Sequence, residues 1–435
     1  MALNIQTGDV TQPGATGNAD ITLPANFDPV AVIMVAVPVT ADGIVAHASM
    51  SVGFGTYRGA AVQHRCLTNL AEDNIGTSDT YREMKTDSIL ALCDITGAND
   101  LKVELVSMTT GSGSKITINW QNLHTTASIR IFYIAFGGSD VVDAEAHNFT
   151  QTTGAGALDV ALSSGMGHPD VVFFGRVADV FGGVTTPGAD WALGFGVRGT
   201  VGGRCIWWGS ADAAATEASF QRITNNSALI SGANGTIETD FDLAAESGWP
   251  TDGYEITKAT ASFSEPVCAL AIRFSGNVVI THGESAMRTT TGDTDHAVGS
   301  SAPKGFILLH TRQATANSTD STSADAAEMG IGFIDDAGNE RWAGCWDDDA
   351  QATASVASSA QAAAKALRVY TPSTDALDGE ADGLVSGSNF RLTTTDAFSA
   401  AFLYEWIAFG ITSASAASRA STRRDREVTA LGQMM

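Results

Sequence analysis

The landmarks of this chain come three times, in one order and at nearly one spacing, and that repetition constrains its fold more than any other feature. A proline followed by an apolar run occurs as Pro29-Val-Ala-Val-Ile-Met-Val-Ala-Val, Pro169-Asp-Val-Val-Phe-Phe-Gly-Arg-Val and Pro303-Lys-Gly-Phe-Ile-Leu-Leu-His-Thr. Upstream of each stands a Thr-Gly, at Thr16-Gly17, Thr153-Gly154 and Thr291-Gly292. Downstream come Gly53-Phe54-Gly55, Gly194-Phe195-Gly196 and Gly330-Ile331-Gly332, then Arg65-Cys66, Arg204-Cys205 and, more loosely, Arg341 with Cys345. Each copy closes on an apolar strand ending in Phe136, Phe274 or Phe409. A length of 435 residues agrees with several units, since single cores stop growing near about 250–300 residues.

Within a copy the pattern is that of short strands. Val103–Met108, Lys115–Trp120 and Ile129–Ile134 are rich in aliphatic, β-branched or aromatic residues and bounded by turn formers. Their counterparts are Tyr254–Thr257 and Val267–Ile272, then Phe390–Thr393 and Ala401–Ile407. Many short strands separated by turn signals predict an all-β chain of three tandem β-sandwich or jelly-roll-like domains. The boundaries fall at 1–142, 143–276 and 277–411, with a C-terminal tail at 412–435. Two Ala-rich stretches, Ala211–Arg222 and Ala350–Leu367, predict short helical insertions on propensity.

Charge narrows the partners. Asp and Glu number 48 against 24 Lys and Arg, a net −24, which repels nucleic-acid phosphates and anionic membrane surfaces alike. Such a balance suits a solvated surface that resists aggregation, a salty medium or a basic partner. The longest strongly apolar run, Pro29–Val39, is shorter than the about 20 residues needed to span a bilayer. The start lacks the basic and apolar regions of a signal peptide, which predicts synthesis and folding in a cytoplasm. Five cysteines without a CxxC pair read as buried hydrophobes in a reducing compartment.

No motif marks a catalytic centre, cofactor or metal. Gly194-Phe-Gly-Val-Arg-Gly199 matches a dinucleotide fingerprint by letter, but the strand-like Arg204-Cys-Ile-Trp-Trp follows where a helix is required. A bulge or a close backbone approach accounts for such glycines. Asp335-Asp336 and Asp347-Asp348-Asp349 read as solvated acidic turns, because no calcium-loop spacing accompanies them. The eight histidines are scattered, without HExxH. Trp191, Trp207, Trp208, Trp342 and Trp346 are the candidate binding residues: on a sheet face they would stack on sugar rings or anchor a partner, and otherwise they are core. In the tail, Arg419, Arg423, Arg424 and Arg426 are candidate assembly contacts with acids of a neighbouring subunit.

Thr152-Thr-Gly154 through Gly167-His-Pro-Asp-Val-Val-Phe-Phe174, with Ile131-Phe-Tyr-Ile-Ala-Phe-Gly-Gly138, resembles a repeat of structural proteins of tailed bacteriophages. The likeness recurs at both ends of each copy and is looser at Ala15-Thr-Gly17 and at the Phe-Ser-Gly that ends copy two. It implies a virion component made in the host cytoplasm, with other capsid or tail proteins as partners, and names no active site. The reading is a non-enzymatic capsid decoration protein that forms a homo-oligomer. The alternative is a tail adhesin binding host glycan through the tryptophans, and a glycan-degrading enzyme is the third reading.

Overall fold

The computed structural model describes the chain except residues 1–2, 73–78, 178–185, 188, 201, 211–218, 234–235, 262–263, 300, 318–326, 349–356 and 413–435. Among the described residues it is all-β: antiparallel strands in six sheets, with three short 3-10 turns at Gly111–Gly113, Glu246–Gly248 and Pro372–Thr374. Each repeat supplies one large and one four-stranded sheet. In the first, the large sheet begins with the opening strand Asn4–Thr11, then the closing strand Arg130–Gly137. It continues through Pro29–Ala36, Ala48–Arg58, Ala61–Ala71 and Thr80–Lys85. The small sheet runs Gly17–Thr22, Lys115–Asn122, Asn99–Thr109 and Leu90–Cys93. The same order returns in the other copies, whose opening strands are Val141–Thr150 and Val278–Ala286 and whose closing strands are Pro266–Phe274 and Leu403–Thr412.

The apolar runs after the prolines are continuous because these strands are buried on both faces. Side chains alternate across a strand, so Ala31, Ile33 and Val35 enter a core shared by all three copies. Val32, Met34 and Ala36 enter the copy's own core against its small sheet. Val171 and Phe173 divide from Val172 and Phe174 in the same way, as do Ile307 and Leu309 from Phe306 and Leu308. In the shared core Phe409 meets both Phe136 and Phe274, with ring centroids 5.4 and 5.8 Å apart. Fully burying each such ring contributes roughly 1.5–3 kcal/mol.

Register corrects the third copy by two residues. Gly53 lies opposite Cys66 and Gly194 opposite Cys205, whereas Gly332 lies opposite Trp342. A Cβ on Gly53 would stand 1.5 Å from the Ile89 carbonyl oxygen, on Gly194 2.1 Å from that of Ala228, and on Gly332 2.0 Å from that of Ala366. The glycines are therefore required by close backbone approach. Arg341 holds the position of Arg65 and Arg204, and Trp342, not Cys345, holds that of the cysteines. Likewise Ile272, opposite Val171, takes the place of Phe136 and Phe409, and Phe274 follows two residues later.

The helices expected in the Ala-rich stretches are not present among the described residues. Ser219–Thr224 and Ala357–Ala362 are edge strands, paired to their neighbours and largely buried. Intrinsic propensity yields there to tertiary packing.

These edge strands are covered by other copies. Gly43–Ala46 of the first copy pairs with Ala357–Ala362 of the third, and Thr186–Pro187 of the second pairs with Thr80–Lys85 of the first. In the third copy, the Asn317 amide donates to the Ile223 carbonyl at 2.9 Å, and Gln313 Oε1 accepts from the Ile223 amide at 2.8 Å. First onto third, second onto first, third onto second: the exchange closes a ring. Edges that would otherwise template aggregation are thereby paired.

Candidate functional site

None of the five candidate tryptophans offers a surface. Trp191, Trp208, Trp342 and Trp346 are 0% exposed and Trp207 is 1%. Trp191 and Trp208 join the shared core, where copy one carries Met50 and Asn69. Trp207 donates its indole N–H to Asp190 and stacks on Phe220. Trp342 donates to His310 Nε2 at 2.9 Å, and Trp346 donates to Asp375 at 2.9 Å while stacking on Tyr370 at 4.4 Å. The expectation that they form surface binding aromatics is corrected: rings of this size are buried where a sheet has neighbours on both faces. Arg419, Arg423, Arg424 and Arg426 lie outside the described residues.

The acidic turns divide: Asp336 is exposed beside Lys304, as a solvated turn requires, whereas Asp335, Asp347 and Asp348 are corrected to buried residues. Asp335, 1% exposed, accepts from the amides of Ala337, Asn339 and, across the copy boundary, Thr7. Asp347 and Asp348 are buried, and Asp349 is outside the described residues. Among the described residues no group of three or more His, Cys, Asp or Glu could hold a metal ion. No helix there is long and apolar enough to cross a membrane.

Several histidines are held neutral by burial. His310 is pushed down to about 3, and His147 and His296 to about 4. The latter two face tyrosine hydroxyls, Tyr254 at 2.8 Å and Tyr404 at 2.9 Å. All five cysteines are buried and none forms a disulfide; burial pushes Cys66 up to about 12 and raises Cys205, Cys268 and Cys345 as well. A thiol so shielded is a poor nucleophile. A cleft of about 380 Å³ opens beside the first copy's exchanged strand, with His47, Asp94, Asp100 and His124 in its walls. There His124 Nδ1 accepts from the Thr126 amide at 3.0 Å and Nε2 faces Asp100 at 3.3 Å, so both ring nitrogens are engaged.

The recurring chemistry lies at the seams between copies, at the repeated arginine. Arg341 of the third copy reaches Asp9 on the first copy's opening strand at 2.6 Å, with its guanidinium 5.8 Å from the Phe132 ring centroid. Arg65 of the first copy donates to Asn148 Oδ1 on the second copy's opening strand at 2.9 Å. Arg204 of the second copy approaches Glu405 on the third copy's closing strand at 3.1 Å, beside Glu284 on the opening strand. By register Asp9, Asn148 and Glu284 share one position, and Phe132, Cys268 and Glu405 another. Sequence reading found these arginines as landmarks and missed their role. The available signal was an invariant charge inside otherwise apolar strands.

The Arg204 seam is the most unusual electrostatically. Glu405 is 0% exposed, and burial pushes its carboxyl up to about 9; Glu284 adds to that rise and Arg204 opposes it. Neither Glu405 oxygen has an aligned hydrogen-bond donor among the other side chains, despite the nearby guanidinium. A buried carboxylate without donors is costly, and protonation relieves it.

In comparison with known proteins, no family model and no curated protein matches the chain.

Proposed function

We propose that the chain is a structural component of a tailed-phage virion, a decoration protein on the outer face of the capsid, built as three jelly-roll-like sandwiches on one chain. The carrying observation is the closed ring of edge-covering segments and arginines around a shared core. A body whose contacts permute among three similar units suits a position of threefold local symmetry in a shell, where three alike surfaces are met at once. The acidic, low-charge-density composition and the resemblance of the repeat ends support the same reading. Its partners are other virion proteins, reached through surfaces the copies do not share. The adhesin alternative leaned on the tryptophans, and these are spent on packing.

Gel densitometry of purified particles against the major capsid protein tests this. Tens to hundreds of copies per particle are the expected result. A handful would reject decoration in favour of a tail appendage.

A further inference from the structure

The three seams repeat one arginine, but only one of them sets two carboxyl groups against each other, Glu405 fully buried and Glu284 half-buried. Glu284 and Glu405 are direct partners across adjacent strands of the third copy, close enough for a hydrogen bond between their side chains. Two carboxylates cannot bond, since both only accept, so a bond requires a proton on one of them. Glu405 is the sealed member, and Glu284 also accepts from the Asn225 amide group of the second copy at 3.2 Å.

We propose that this seam is a proton-held latch between the second and third copies. Protonated Glu405 donates to the Glu284 carboxylate and keeps its other oxygen toward Arg204, 3.1 Å away. When a base in solution takes the proton, two carboxylates confront one guanidinium, and one of them, Glu405, is sealed from water. Repulsion and desolvation then favour the open seam, where water reaches both. Among the described residues, the other titratable groups at this seam supply no further positive charge to offset this: Asp242, which also interacts with Arg204, is itself a carboxyl raised by burial. On the opening strand His282 is kept neutral by burial and by Arg204, at about 4. On the second copy's strand Arg204–Ser210, Cys205 stays a thiol because burial raises it. On the edge strand Arg222 faces Cys205 and Asp240, and the third strand presents Leu309 opposite Glu405.

The linkage has a definite sign. The closed seam holds the proton up to about 9, and an exposed carboxyl releases it near its ordinary value of 4.5. The closed state therefore loses ground as pH rises between those limits, by up to about tenfold in the opening constant per pH unit. The other two seams lack the carboxyl pair and lack this dependence.

Hydroxyl-radical footprinting of the full chain at pH 6, 7, 8 and 9 tests the latch, with Phe195 and His282 reporting on this seam and Phe132 on the Arg341 seam. Phe195 and His282 lie in ring contact 6.3 Å apart. Their oxidation relative to Phe132 should rise with pH in the wild type and stay flat in Glu405→Gln. Should that variant not fold, Glu284→Gln serves: with the neighbouring charge removed, the rise should move to lower pH. A wild-type ratio that does not change with pH would overturn the latch. So would a Glu405→Gln profile that follows the wild type, or a Glu284→Gln rise at the wild-type pH.

Discussion

The seams made by Arg204 and Arg341 place the same side chain at the same register position and give it opposite surroundings. Arg341 lies over a phenyl ring and pairs with Asp9, a carboxylate 29% exposed. Arg204 faces a fully buried glutamic acid with a second carboxyl behind it. Between them stands Arg65, whose receptor is the uncharged Asn148. In a homotrimer one substitution would alter all three seams at once. Joining the copies on one chain lets each seam diverge alone, and here one became a partly exposed ion pair, one an amide contact and one a carboxyl pair with one buried member.

The largest test of that contrast is Arg204→Ala against Arg341→Ala at neutral pH. Removing Arg204 leaves the single negative charge of the Glu284–Glu405 pair without its counter-charge beside a sealed carboxyl, which should cost about 2 kcal/mol. Equal shifts of the guanidinium midpoint for the two variants would break the comparison. Arg341→Ala should cost only about 1 kcal/mol, the value of a partly exposed pair with a ring contact. That contribution should shrink further when urea midpoints are measured in 1 M NaCl, because exposed pairs are screened. The smallest effect belongs to Arg65→Met. Its charge is desolvated with no anion as hydrogen-bond partner, so midpoints should change by less than about 1 kcal/mol, with either sign. A large loss would show that Asn148 is a stronger receptor than an amide should be.

Much of the architecture was legible beforehand because it depends on local periodicity. The alternating segments at Val103–Met108, Lys115–Trp120 and Ile129–Ile134 fall in the strands Asn99–Thr109, Lys115–Asn122 and Arg130–Gly137. The glycine before Phe54 and Phe195 was traceable to close packing because nothing else in a strand favours glycine. In the third copy the alignment slipped by two residues: Gly330 and Gly332 look alike in sequence, and only pairing with Trp342 distinguishes them. The Ala-rich stretches misled because alanine's helix preference is worth less than the pairing and burial available at a sheet edge. The tryptophans were ambiguous because alternation tells which residues share a face, not what covers it.

The amino-acid order by itself determined that this chain is β-structured, that it repeats three times, and that it is acidic. Those properties follow from composition and from side-chain periodicity within a few residues. Only the tertiary structure decided that the copies cover one another's sheet edges in a ring, that one face of each large sheet enters a common core, and that three matched arginines meet three different receptors. These are contacts between residues far apart in the chain, from 83 positions for Arg65 with Asn148 to 332 for Asp9 with Arg341. Their partners are chosen by how the sheets stack, and no local pattern records that choice.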